Sequence, residues 1–141
     1  MKVNFKKIDR HAVIPRQTAG NAGMDMTAIK SELNDYYVEY DTGIAAEIPE
    51  GYVGLLFPRS SISKTSLVLA NSVGVVDSSY RGTIKFRFKN VAKHHNTAHI
   101  YTIGDRIGQL VIIPYPSIES VEVKELSETD RGEGGFGSTG K

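Results

Sequence analysis

An all-β barrel or sandwich is the fold this sequence predicts, and three observations predict it. Apolar residues recur with a period of two. The short runs that carry this period are separated by Gly, Pro, Asn and Asp turns. Only residues 60–67 read as a helix, and a short one. The clearest run is TIKFRFKN (83–90), where Ile84, Phe86 and Phe88 share one face and Lys85, Arg87 and Lys89 the other. That is the pattern of a half-buried strand.

The other elements follow in chain order. YYVEYDTGIAAEI (36–48) reads as two short strands around a three-residue hairpin loop, Asp41-Thr42-Gly43, with glycine where φ must be positive. YVGLLFP (52–58), RIGQLVIIPYP (106–116) and SIESVEVKEL (117–126) are further strands, the last of which also fits a helix. Pro49, Pro58, Pro114 and Pro116 fall at the ends of these runs, where a missing N–H does least harm. With no repeat or linker before about residue 130, residues 1–130 read as one β domain. Residues 131–141 are a glycine-rich tail of that domain.

The 141 residues suffice for one domain with a real core. With 17 basic against 16 acidic residues, the formal net charge of +1 argues against a general nucleic-acid binder. A small anionic ligand remains open, because a few placed arginines suffice for one. Cysteine is absent, which excludes a disulfide framework, a thiol nucleophile and cysteine-ligated zinc. The basic N-terminus, MKVNFKKIDRHAVIP, has no apolar core of a signal peptide, and no run approaches the length of a membrane span. The expectation is a soluble, cytoplasmic protein, in the host cell if its source is viral.

Several segments are too polar for plain strand connections. In NAGMDMTA (21–28), Asp25 stands between Met24 and Met26, as a turn residue or as a charge held near a ligand or metal; the segment alone favours the turn. In FPRSSISKT (57–65), Arg59, Ser60 and Ser61 lead into the short helix, an arrangement suited to phosphate. A serine N-cap beside a solvated arginine fits that segment equally. In NSVGVVDSSYRG (71–82), Val75-Val76 delivers Asp77 to a Ser-Ser-Tyr turn closed by Gly82. An ordinary hairpin explains this too, but Asn71 carries the donor and acceptor that read a base edge. IGDRIGQL (103–110) is a glycine turn with Arg106 and Gln109 at a strand start, in isolation a β-turn with a surface arginine. His94 and His95 read as solvated. In the tail, five of the nine residues 132–140 are glycine, around a single aromatic, Phe136. A segment so costly to order reads either as disordered filler or as a flap that orders only when something binds.

Taken in order, AG-x-D, PRS, GVVD-x-x-YRG, GDRI-x-QL and RG-x-GGFGSTG resemble the five motifs of the trimeric deoxyuridine triphosphatases (dUTPases). They span residues 22–140. The resemblance implies a jelly-roll-like fold and hydrolysis of dUTP to dUMP and pyrophosphate, which supplies dUMP and keeps uracil out of DNA. It implies that Asp77 activates the attacking water, that Asn71 contacts uracil, and that Tyr80 packs under the deoxyribose and excludes a 2′-hydroxyl. Arg59, Ser60 and Gln109 fall at phosphate-contacting positions, and Arg131 and Phe136 at the tail positions that cover the γ-phosphate and stack on uracil. Ser61, Gly74, Val76, Gly137 and Ser138 complete the substrate-binding set. Asp25 is similar to the aspartate that holds water on a magnesium ion (Mg2+). A homotrimer with composite active sites is implied as well. Ser61 stands where glycine is usual, Ser79 where Asp or Gly is commoner, and Met26 where Leu is.

The absence of a dense acidic cage fits magnesium, which commonly takes phosphate oxygens, water and only one or two carboxylates. Two other readings compete. A deoxycytidine triphosphate deaminase has a similar fold and PRSS segment, but Arg87 stands where that relative carries its catalytic glutamate. A nucleotide-gated regulator would use the same residues for binding without turnover.

Overall fold

In the computed structural model, residues 1–92 and 100–135 are described. Among them ten strands form three antiparallel sheets. β1 (Asn4–Lys7) pairs with β5 (Ile44–Glu47). A four-stranded sheet has the order β2-β10-β6-β8, with β2 Met24–Thr27, β10 Arg106–Pro114, β6 Tyr52–Pro58 and β8 Gly74–Val76. A second has the order β3-β4-β9-β7, with β3 Lys30–Leu33, β4 Val38–Asp41, β9 Lys85–Asn90 and β7 Leu67–Leu69.

One buried cluster draws on all three sheets. The alternation of 83–90 holds, with Ile84, Phe86 and Phe88 buried and Lys85, Arg87 and Lys89 exposed. Tyr40 and Phe88 meet edge to face at 5.9 Å, and the Tyr40 hydroxyl donates to the Tyr101 carbonyl at 2.8 Å. Burial pushes the Tyr40 hydroxyl above its ordinary pKa. The two larger sheets close against each other where Gly108 of β10 faces Phe86 of β9. A Cβ at 108 would come within 2.2 Å of that ring.

Three expectations change. Gly43 does adopt a positive φ of 63°, with its N–H held by the Asp41 carboxylate at 2.7 Å. The flanking strands nevertheless form no hairpin, since β4 pairs with β3 and β9 while β5 pairs with β1. Ile84 is the wedge: its N–H donates to Ile44 and its carbonyl accepts from the Thr42 N–H and hydroxyl. The helix of 60–67 is shorter, a 3₁₀ helix over Ser60–Lys64 capped by Arg59 with no side-chain cap bond, so the serine N-cap is not realised. Residues 117–126 form neither strand nor helix, and Ile118, Val121, Val123 and Leu126 stand exposed. A strand needs a partner, and the single chain offers none there. No helix among the described residues is long and apolar enough to cross a membrane.

Candidate active site

β8 ends at Val76 and delivers Asp77 into its turn, as the spacing of 71–82 implies. Val76 is buried while Val75 is exposed, so the apolar pair divides between the core and solvent. A cleft of about 560 Å³ opens between β8 and β9. Asn71, Gly74, Val76, Asp77 and Tyr80 all line it. Gly74 keeps the wall close to the core, since a Cβ there would meet Leu56 at 3.0 Å. Just before it, Ser72 holds a positive φ of 61°, the only non-glycine residue to do so among those described. Such strain persists where the surrounding structure imposes it.

The far wall of the cleft includes Tyr37, Glu39, Lys85 and Arg87. Glu39 is buried opposite Arg87 in the β4–β9 register. It accepts from Lys85 Nζ at 2.6 Å and from Arg87 Nε at 2.7 Å. The Arg87 guanidinium also lies 4.6 Å from the centre of the Tyr37 ring. Sequence reasoning missed this group. The alternation of β9 showed that Lys85 and Arg87 face away from the core, but not what they meet.

A second group gathers on Asp25. This residue lies within β2, which corrects the turn that its own segment favours. The β2–β10 register sets Gln109 directly opposite it, and the end of β6 brings in Arg59. Asp25 Oδ1 accepts from Arg59 Nε at 3.0 Å and from Gln109 Nε2 at 3.1 Å. Its Oδ2 accepts from Arg106 Nη1 at 3.0 Å. Arg59, with a side chain only 26% exposed, is therefore not the solvated residue that its segment also permits, whereas Arg106 stays a surface arginine, 60% exposed, that pairs with Asp25. Arg106 is a second missed residue, and its position at the strand start was the one available signal. Ser60 and Ser61 open the 3₁₀ helix beside Arg59, and their N–H groups have no partner within that helix.

Arg131 bonds within its own turn, its Nε donating to the Gly134 carbonyl at 2.8 Å. Among the described residues no hydrogen bond joins the cleft residues, the Asp25 group and Arg131. Phe136, Gly137 and Ser138, and the pair His94 and His95, lie outside the described residues.

The dUTPase family model matches residues 9–140. The chain belongs to the dUTPase family. It is 50% identical over 101 residues to the deoxyuridine 5′-triphosphate nucleotidohydrolase of Escherichia phage T5, across 71% of this chain and 66% of the phage enzyme. It is 41% identical over 149 residues to the enzyme of the same name from Nautilia profundicola, across 100% of both. Staphylococcus bacteriophage 80alpha dUTPase, solved with dUPNHPP, matches it with a TM-score of 0.85 at 31% identity, across 99% of each chain. Family membership settles the enzymatic class, dUTP diphosphatase, and the jelly-roll-like fold.

The residues present also bear on magnesium. No group of three or more His, Asp or Glu residues that could hold a metal occurs among the described residues. Asp25 spends three of its roughly four acceptor sites on Arg59, Gln109 and Arg106. What remains suits one donor from a metal-bound water rather than direct coordination.

Proposed function

We propose that the chain hydrolyses dUTP to dUMP and pyrophosphate at a composite site, with Asp77 taking a proton from the water that attacks the α-phosphate in line. The single observation that carries this reading is the cleft in which Asn71, Gly74, Val76, Asp77 and Tyr80 converge. Asn71 supplies a donor and an acceptor for the uracil edge, and the backbone of 71–76 is the part of the wall that would exclude a 5-methyl group. Tyr80 lies under the deoxyribose. Arg59, Ser60, Ser61 and Gln109 meet the phosphates, with Arg59 exchanging Asp25 for a phosphate oxygen as substrate arrives. Arg131, Phe136, Gly137 and Ser138 close over the γ-phosphate and the base. Rate enhancement rests on positioning and on charge stabilisation of the phosphoryl oxygens. A magnesium ion would supply further charge neutralisation at the phosphates, and Asp25 is the residue that would hold it, through a water.

The lack of any hydrogen bond among the described residues between the three groups supports a homotrimer, in which each site draws its parts from different subunits. So does the exposed arm of 117–126, whose apolar side chains lack cover.

The reading is tested by offering dUTP, dTTP, dCTP and UTP with magnesium and measuring pyrophosphate. Release from dUTP far above the others is expected. A buried pocket that hydrogen-bonds one base rejects another that leaves its polar groups unpaired. Comparable turnover of dTTP or dCTP would sink the reading, and ammonia from dCTP would favour the deaminase.

A further inference from the structure

The turn carrying Asp77 and Tyr80 is braced from behind by two residues to which the proposed mechanism gives no role. Tyr80 N–H donates to the Asp77 carbonyl at 3.1 Å, and its hydroxyl donates to the Thr83 carbonyl at 3.1 Å. The side chain is thus folded over the residues that follow it. Gly82 lies directly beneath. A Cβ at that position would stand 2.3 Å from the Tyr80 hydroxyl oxygen and 2.6 Å from Cζ. Gly82 has no positive φ, so the requirement there is clearance rather than backbone freedom. Arg81 supplies the second brace. Its Nη1 donates to the carbonyls of Ser78 (2.5 Å) and Tyr80 (2.9 Å). Its Nη2 lies 3.7 Å from Glu47 of β5, which Asn4 of β1 also holds at 2.7 Å.

Among the described residues the Tyr80 side chain has no hydrogen bond on the cleft side, and Tyr80 is 46% exposed. A ring rejects a 2′-hydroxyl only if it cannot yield by the width of one oxygen, so the restraint must come from the other side. We propose that Gly82 and Arg81 are positioning residues that set the height of the Tyr80 ring, and that discrimination between dUTP and UTP depends on them. The proposal rests on the reading of Tyr80 as the residue beneath the deoxyribose.

The test compares kcat/KM for dUTP and for UTP in wild type, Gly82→Ala, Arg81→Met, Tyr80→Leu and Gly82→Ala/Tyr80→Phe, with Tm measured alongside. The dUTP-to-UTP ratio is expected to fall by roughly tenfold or more in Gly82→Ala, the scale of a steric misfit in a binding pocket. The double variant should recover part of it, because Tyr80→Phe removes the atom nearest the new methyl. Equal losses on both substrates at an unchanged ratio would overturn the proposal, since a merely structural role predicts that result. If Gly82→Ala does not fold, the ratio in Arg81→Met decides in the same way. A Tyr80→Leu enzyme with an unchanged ratio would remove Tyr80 from the sugar, and the proposal with it. A lowered ratio in Tyr80→Leu alone, with both brace variants unchanged, would refute only the positioning role.

Discussion

Asp77 leaves its strand with a carboxylate that has no hydrogen-bond or ion-pair partner among the described residues, whereas the Glu39 carboxylate takes Lys85 on one oxygen and Arg87 on the other. An unspent carboxylate at a cleft wall suits a base; a doubly paired one is structural. Asp77→Asn is therefore expected to leave dUTP binding largely intact and to lower kcat by roughly 10²-fold or more, the range for a positioned base. A kcat near wild type, measured at saturating dUTP, would reduce Asp77 to a turn former. For Glu39, the hydrogen bond from Lys85, and then that from Arg87, hold the carboxyl below its ordinary value of 4.5 against a burial that would raise it. The folded state thus binds this proton more weakly than the unfolded one. Its stabilisation is complete above the unfolded value and is lost as pH falls through the folded one. Lys85 and Arg87 are about half exposed, which trims the gain. Glu39→Gln should cost about 1–2 kcal/mol near neutral pH. Urea melts should show the gap from wild type closing in acid; a gap that widens there would refute the assignment.

Two stretches at the C-terminal end remain outside the sheets. Residues 117–126 hold apolar side chains away from any sheet, and 131–135 form a turn in which Gly132 takes a positive φ of 50°. Among the described residues, the turn is held by bonds among Thr129, Arg131, Gly132 and Gly134, and no hydrogen bond or ion pair ties 131–135 to the core. Truncation after Asp130 is expected to leave Tm nearly unchanged and to lower kcat/KM strongly, because closure over the substrate expels water and strengthens each charge contact. Phe136→Ala should cost about 1–3 kcal/mol of the same free energy if base stacking is what it supplies. Full activity in the truncated enzyme would show that the tail is no flap.

At the scale of the whole molecule, no hydrogen bond among the described residues joins the cleft residues, the Asp25 group and Arg131, the groups proposed to bind one triphosphate. Ile118 is 79% and Leu126 86% exposed, more apolar surface than a lone strand-rich chain comfortably leaves in water. Light scattering is expected to report a trimer. Asp77→Asn chains mixed with Arg131→Ala chains should regain part of the activity that neither has alone. A fully active monomer, or mixtures with no recovery, would mean that each chain builds its own site.

Much of this was legible locally. The alternation of 83–90 identified the buried Ile84, Phe86 and Phe88, because a strand's side chains point to opposite faces whatever its neighbours are. The positive φ of Gly43 followed from its turn, and Pro58 and Pro114 do close their strands. Spacing alone also marked Asp77, Asn71 and Tyr80 as one segment. Pairing was not legible. Whether 38–41 and 44–47 face each other was decided by Ile84, some forty residues on, and residues 117–126 carry a strand's composition without a strand's partner. Asp25 looked like a turn residue because its three donors come from 34, 81 and 84 residues away. Sequence by itself determined which residues are apolar, where the chain turns and which motifs it carries, since these are properties of neighbours along the chain. Which strand meets which, and so which charges share one carboxylate, only the tertiary structure decided, because hydrogen-bonded pairing between distant segments leaves no local period to read.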